Sequence, residues 1–237
     1  VAVTITSLSP MPFVTNPSSY CQNATTSSLA NNASGSNLLW YTSAVGGIGS
    51  PTAPFPSTVA SGVFSYWVSQ NTNGCESPRA EIQVNVLATP SILVTNNSPS
   101  ICDGDMTNIV VTGLQAGETL NWIVNANEVN GLISGQGTSF TDSILTFFSG
   151  IETPRVVNIR FYADNGSCTS SFHDIDITVN PRPDIMVSPN SPEEQTICSG
   201  ETTNIEISSS YPNVNFTWEV ISNVNGVLGA SNGKGDT

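Results

Sequence analysis

Short runs in which every second residue is apolar recur along the chain, separated by stretches rich in Gly, Asn, Pro and Ser. Alternation with period 2 predicts strands that bury one face, and the intervening residues predict turns. One run reads Ile82, Val84, Val86 with polar residues between, and another reads Ile175, Ile177, Val179. Phe64, Tyr66 and Val68 supply a third inward face, while Leu38 with Trp40, and Leu120 with Trp122 and Val124, supply two more. No window carries a convincing helical period, so the predicted class is all-β.

The runs also repeat at long range. Ile101-Cys102-Asp103-Gly104-Asp105-Met106-Thr107-Asn108-Ile109 returns 96 positions later as Ile197-Cys198-Ser199-Gly200-Glu201-Thr202-Thr203-Asn204-Ile205, and Trp122 and Trp218 are also 96 apart. That period is too long for a solenoid repeat and suits a β-sandwich of about 100 residues. A more divergent copy comes first, with Trp40 following Cys21 at a spacing of 19, against 20 in the other two. It closes with Gly74-Cys75-Glu76-Ser77, where the second closes with Gly166-Ser167-Cys168-Thr169-Ser170. Prolines follow each final strand, at Thr89-Pro90 and at Asn180-Pro181-Arg182-Pro183. Residues 1–9, in which Val1 to Thr6 alternate, are expected to be the last strand of an upstream module. The modules then run over 10–89, 90–181 and 182–237, the last expected to be only the first half of its copy.

Composition narrows the function. Charged residues make up 10% of the chain, well under the ~25% of an average globular protein. Ser, Thr and Asn together are about a third. The net charge of −13 would repel phosphate backbones and anionic lipid surfaces, so nucleic acid is not expected as a partner, and without a run of 18 apolar residues direct membrane insertion is not expected either. Five cysteines fall one pair to each complete copy plus Cys198, without a CxxC that would suggest a metal cluster. The spacing predicts two disulfides within modules, Cys21 with Cys75 and Cys102 with Cys168, and leaves Cys198 unpaired until its partner beyond Thr237. Buried free thiols are the alternative. Disulfides would contribute about 4 kcal/mol each on the chain-entropy account and would place the chain in an oxidising, extracellular setting.

Trp40, Trp122 and Trp218 each sit on an alternating strand after the first cysteine of their copy, which resembles the core tryptophan on strand C of immunoglobulin-like domains. The second cysteine departs from the antibody pattern by following a turn beyond strand F, which predicts a staple near strands F and G at one pole. Further, Tyr20-Cys21-Gln22, Leu39-Trp40-Tyr41, Gly46-Gly47, Tyr66-Trp67-Val68-Ser69-Gln70 and the closing Gly74-Cys75-Glu76-Ser77 resemble the Ig-like modules of large Bacteroidetes surface proteins. The Ile-Cys-x-Gly and Thr-Asn-Ile runs with their tryptophan resemble the PKD-like modules of the same proteins. The resemblance implies a tandem array of immunoglobulin-like/PKD-like β-sandwich domains in a secreted cell-surface protein. Such proteins are often exported by the type IX system, the gliding-motility adhesin being the best-known example.

Candidate chemistry is sparse. His173, the single histidine, opens a strand beside Asp174 with no nucleophile in a recognisable elbow, and Glu193-Glu194 lie in a linker, so no catalytic residues are assigned and the chain is not read as an enzyme. Asp103 and Asp105 flank Gly104 as a turn beside the cysteine or as part of a calcium site, which would need 6 to 8 oxygens; no other cofactor is expected. Asp142-Ser143-Ile144 matches the short O-glycosylation signal that the resemblance brings with it, at Ser143. If Trp40 faces inward, Leu39 and Tyr41 face outward and Trp67 joins them from strand F. That patch either shields the sheet or contacts a glycan or protein partner. The expected function is a repetitive extracellular stalk or adhesin segment at the cell surface, with partners among host or substratum surfaces, glycans and further modules of the same chain. The alternative is an accessory carbohydrate-binding or spacer module of a secreted polysaccharide-degrading enzyme.

Overall fold

A computed structural model describes residues 8–72, 74–148, 153–188, 197–221 and 229–236. The Val1–Thr6 run and Glu193-Glu194 lie outside the described residues. Among the described residues the regular structure is β-strand throughout, apart from one turn of 3-10 helix at Leu29–Asn32, where the Ser28 hydroxyl accepts the Ala30 amide.

The first core is built on a sheet in the order Tyr20–Cys21, Ala80–Leu87, Gly62–Thr72, Leu38–Tyr41, with Cys75–Glu76 paired to the end of Gly62–Thr72. Ala80, Ile82, Val84 and Val86 are buried while the residues between them are exposed, as a pleated strand with one covered face requires. Trp40 and Val68 complete that face, and Leu29, Val14 and Ala33 close over it from the Phe13–Val14 and Ala33–Ser34 layer. The second core repeats the plan, with a sheet in the order Gly135–Gly137, Thr119–Ala126, Arg155–Asp164, His173–Asn180, Ser100–Cys102. Ile92 and Ile109, with Val94 and Val111, pack on it from the opposing Leu93–Asn96 and Ile109–Thr112 pair. Fully buried Phe161, Ile159, Ile177 and Leu120 contribute roughly 1.5–3 kcal/mol each through apolar burial.

Trp122 caps one flank of the second core, edge-on to Phe140 at 5.4 Å, and Phe140 in turn meets Phe161 at 5.1 Å. Gly135 permits this, because a Cβ there would lie 2.8 Å from the indole. Trp122 Nε1 donates to the Ile133 carbonyl at 3.0 Å. Trp218 copies both features, donating to Ser231 at 3.2 Å and lying against Gly233 across the Asn215–Trp218 and Gly233–Asp236 pair.

Both sheets begin and end alike. The strand that ends in the first cysteine runs parallel to the last strand of its unit, so that Cys21 faces Leu87 and Cys102 faces Asn180. The next residue then donates to the same partner: Gln22 N to Leu87 O and Asp103 N to Asn180 O, both at 2.8 Å.

Candidate functional site

A tight turn follows each first cysteine. The amides of Ala24, Asp105 and Glu201 donate to the carbonyls of Cys21, Cys102 and Cys198, at 3.0, 3.0 and 3.1 Å. The third residue of each turn has positive φ, 62° at Asn23, 82° at Gly104 and 92° at Gly200, which only glycine adopts freely and asparagine tolerates. In the second and third copies the acidic side chain closing the turn also accepts the cysteine amide, Asp105 from Cys102 at 3.0 Å and Glu201 from Cys198 at 2.7 Å. The second cysteine of each complete copy sits in the hairpin that precedes the last strand. There a buried serine plugs the hairpin: Ser77 Oγ accepts the Gln70 amide and donates to Pro78 O, and Ser170 Oγ does the same with Ala163 and Ser171.

These two positions lie at opposite poles of each unit, and this overturns the expected pairing. Cys21 faces Leu87 beside Gly62, whereas Cys75 faces Thr72, so the 11-residue Gly62–Thr72 strand, about 35 Å long, separates them. Cys102 and Cys168 are held apart in the same way by the 10-residue Arg155–Asp164 strand. A disulfide needs Cα atoms within about 7 Å, so neither Cys21–Cys75 nor Cys102–Cys168 forms. The bond is instead Cys21–Cys168, with Cα atoms 5.7 Å apart and a sequence separation of 147. It crosses the junction between the two units and replaces the intramodular staple at one pole that the spacing predicts. Asn165 Nδ2 supports the junction by donating to Ala88 O at 3.1 Å, and Thr89 Oγ1 donates to Gln22 O at 3.2 Å. Cys102 and Cys198 are exposed thiols.

The outer face of the first sheet carries the second candidate. Leu38–Tyr41 pairs with Gly62–Thr72 so that Tyr41 and Trp67 are directly opposed. Leu39 and Trp67 are half-buried, but Tyr41 is 6% exposed, contrary to the outward, solvent-facing position that alternation predicts. Arg79 is the reason. Its guanidinium lies 3.3 Å from the Tyr41 ring centroid and is held there by donation to Ser43 O at 2.7 Å. The Tyr41 hydroxyl donates to Glu76 at 2.5 Å, and Ser69 donates to the same oxygen at 2.6 Å. The Ser69 hydroxyl, then the Tyr41 hydroxyl, and lastly the Arg79 charge hold the Glu76 carboxyl below its ordinary value against the opposing effect of burial. Glu76 and Ser77 belong to the closing motif visible in the sequence, but Arg79 lacks any sequence signal that couples it to Tyr41.

Residues 10–87 match the family described as Ig-like domain CHU_C associated. The first unit is an Ig-like module. Among solved structures the chain is similar to human protocadherin-24 EC1-2, with 11% identity over 74% of this chain and 100% of that one and a TM-score of 0.33. It is also similar to human CDH23 EC21-23, with 14% identity over 81% and 76% and a TM-score of 0.34. No curated protein matches the chain.

Beyond the Ig-like module, Asp103 and Asp105 serve the turn and its neighbour. Asp103 accepts the Phe147 amide at 2.7 Å, and Asp105 accepts both the Cys102 amide and the Arg182 guanidinium, which also donates to the Asp103 carbonyl. Among the described residues no three His, Cys, Asp or Glu side chains gather as a metal would require. Ser143 is half-buried, its amide donating to Thr107 Oγ1 at 3.0 Å and its carbonyl accepting the Thr107 amide at 3.0 Å, while Asp142 accepts the Thr107 hydroxyl and the Ile109 amide. His173 opens the last strand of the second sheet opposite Phe161. Among the described residues no helix is long and apolar enough to cross a membrane.

Proposed function

We propose that the chain is a stalk segment of a secreted, cell-surface adhesin, in which an Ig-like module over 10–89 is followed by PKD-like modules over 90–181 and from 182 onward. Its task is to hold a binding tip away from the cell, toward host or substratum surfaces and their glycans. The single observation that carries this reading is the Cys21–Cys168 bond across the junction. A disulfide persists in an oxidising compartment, and one that spans two units restricts how each moves on the other, which suits a support more than a pair of independently mobile binding modules. The low density of charge and the scarcity of Lys and Arg, five in all, suit a polar surface with few cleavage points for trypsin-like proteases. The gliding and type IX context belongs to the same reading.

Antibodies raised against residues 10–181 test it on intact cells of the producing organism. Labelling without permeabilisation, lost after brief surface proteolysis, is expected, together with reduced attachment when the segment is deleted. Labelling only after permeabilisation overturns the proposal.

A further inference from the structure

The two bonded cysteines divide the chain unevenly. Every member of the first core, Leu29 to Val86, lies between them, as do all members of the second core except Ile177 and Val179. The parts outside the bond run from pole to pole. Upstream, Ser9 is anchored at the far pole of the Ig-like module, its hydroxyl 2.7 Å from the Cys75 carbonyl, and Gln70 Nε2 donates to Pro10 O at 2.8 Å. From there the chain passes Asn16, which accepts the Gln83 amide midway along the last strand, and reaches Cys21 at the near pole. Downstream, Cys168 stands at the near pole of the second unit, and the extended strand His173–Asn180 carries the chain to the far pole.

We propose that the Cys21–Cys168 bond is a clamp that routes tension past the first buried core and past all of the second except the His173–Asn180 strand, which carries Ile177 and Val179. A pull along the chain enters near Ser9, follows the first segment to Cys21, crosses the disulfide to Cys168, and leaves along His173–Asn180. That path is covalent throughout and is already nearly extended in the folded protein, since 12 positions cover each unit from pole to pole. The bond holds the Cα atoms of Cys21 and Cys168 5.7 Å apart, so the chain between them can be neither stretched nor unravelled from its ends. Independent modules would each carry the full load through their sheets. Here the load bypasses the Trp40 and Trp122 strands, which lie inside the closed loop. The proposal goes beyond the stalk reading and holds equally for a spacer in a secreted enzyme.

Single-molecule stretching of the chain held at its two termini tests the clamp. The readout is the fully extended length, which does not depend on whether a variant folds. Dithiothreitol, which gives up two hydrogen atoms and closes to its own ring disulfide, returns Cys21 and Cys168 to thiols. The extended length should then grow by about 500 Å, from the 147 positions released at roughly 3.5 Å each. Cys21→Ala alone, stretched without reductant, should show the same gain, and the double variant Cys21→Ala/Cys168→Ala should equal it. Bonds within modules would behave differently. Positions 21 and 75 are only 54 apart, so Cys21→Ala would then release about 190 Å. A gain near 190 Å, or no gain at all, overturns the proposal.

Discussion

Arg79 lies over Tyr41, its guanidinium carbon 3.3 Å from the centre of the ring, and this contact helps to bury a residue on the outer face of the sheet. The contact has three supports: the ring face beneath the cation, the Ser43 carbonyl that fixes the guanidinium, and Glu76, which accepts the tyrosine hydroxyl. Arg79→Ala should uncover Tyr41 and cost the Ig-like module about 1 kcal/mol, the range of a partly exposed cation–π pair. Urea unfolding followed by tryptophan fluorescence checks the value. Trp67→Ala should leave the Tyr41 cover in place. Unchanged stability together with unchanged glycan binding in that variant would leave the patch without a recognition role.

Glu76 makes this cover sensitive to acid. Its folded carboxyl titrates below the ordinary value of 4.5, so the stabilisation is fully present above that value and is lost as the pH falls through the lower, folded one. Protonation weakens acceptance from Ser69 and Tyr41 and removes the attraction to Arg79. The wild type should therefore exceed Glu76→Gln in melting temperature at pH 7, and the gap should close as the pH falls below the ordinary carboxylate value. Asp174, held low chiefly by hydrogen bonds from Arg160, titrates in the same direction in the second unit but is common to both proteins and cancels in the difference. A gap that stays constant with pH would contradict the assignment to Glu76.

Ser77 and Ser170 should prove equivalent. Each hydroxyl accepts a buried amide, Gln70 at 3.0 Å and Ala163 at 2.9 Å, which alanine would leave unsatisfied. Ser77→Ala and Ser170→Ala should each cost roughly 1–3 kcal/mol. Chemical denaturation with one fluorescence signal per unit would show each loss confined to its own unit.

Cysteine chemistry should separate the thiols without force. Non-reducing peptide mapping after chymotryptic digestion is expected to recover Cys21 joined to Cys168. Cys102 and Cys198, both exposed, should alkylate in the folded protein before any reductant is added. Recovery of a Cys21 to Cys75 peptide would reverse the connectivity.

Phe161 marks the centre of the second core, fully buried and edge-on to Phe140, whereas Phe172 on the outer face is 60% exposed. Phe161→Ala should cost about 3–5 kcal/mol and Phe172→Ala less than about 1 kcal/mol, measured by thermal unfolding of the full chain.

The sequence by itself determined which strand faces turn inward and where the fold repeats. Alternation at Ile82, Val84 and Val86 named the buried face, because side chains on a strand alternate whatever surrounds it. The Asp103-Gly104-Asp105 turn was legible because a positive φ favours glycine, and the 96-residue period announced successive copies of one fold. Tertiary structure alone decided which cysteines meet. Spacing counts the residues between Cys21 and Cys75 but does not say that the first rides a strand parallel to the last, which carries it to the pole opposite the hairpin turn. The two stand a full strand length apart and cannot bond, and the partner is Cys168 of the next unit, which crowns the hairpin that faces the junction. Tyr41 teaches the same lesson on a smaller scale. Alternation placed it on the outer face, but a guanidinium 38 positions away covered it, and contacts between distant residues are set by how the elements pack rather than by the pattern within any one of them.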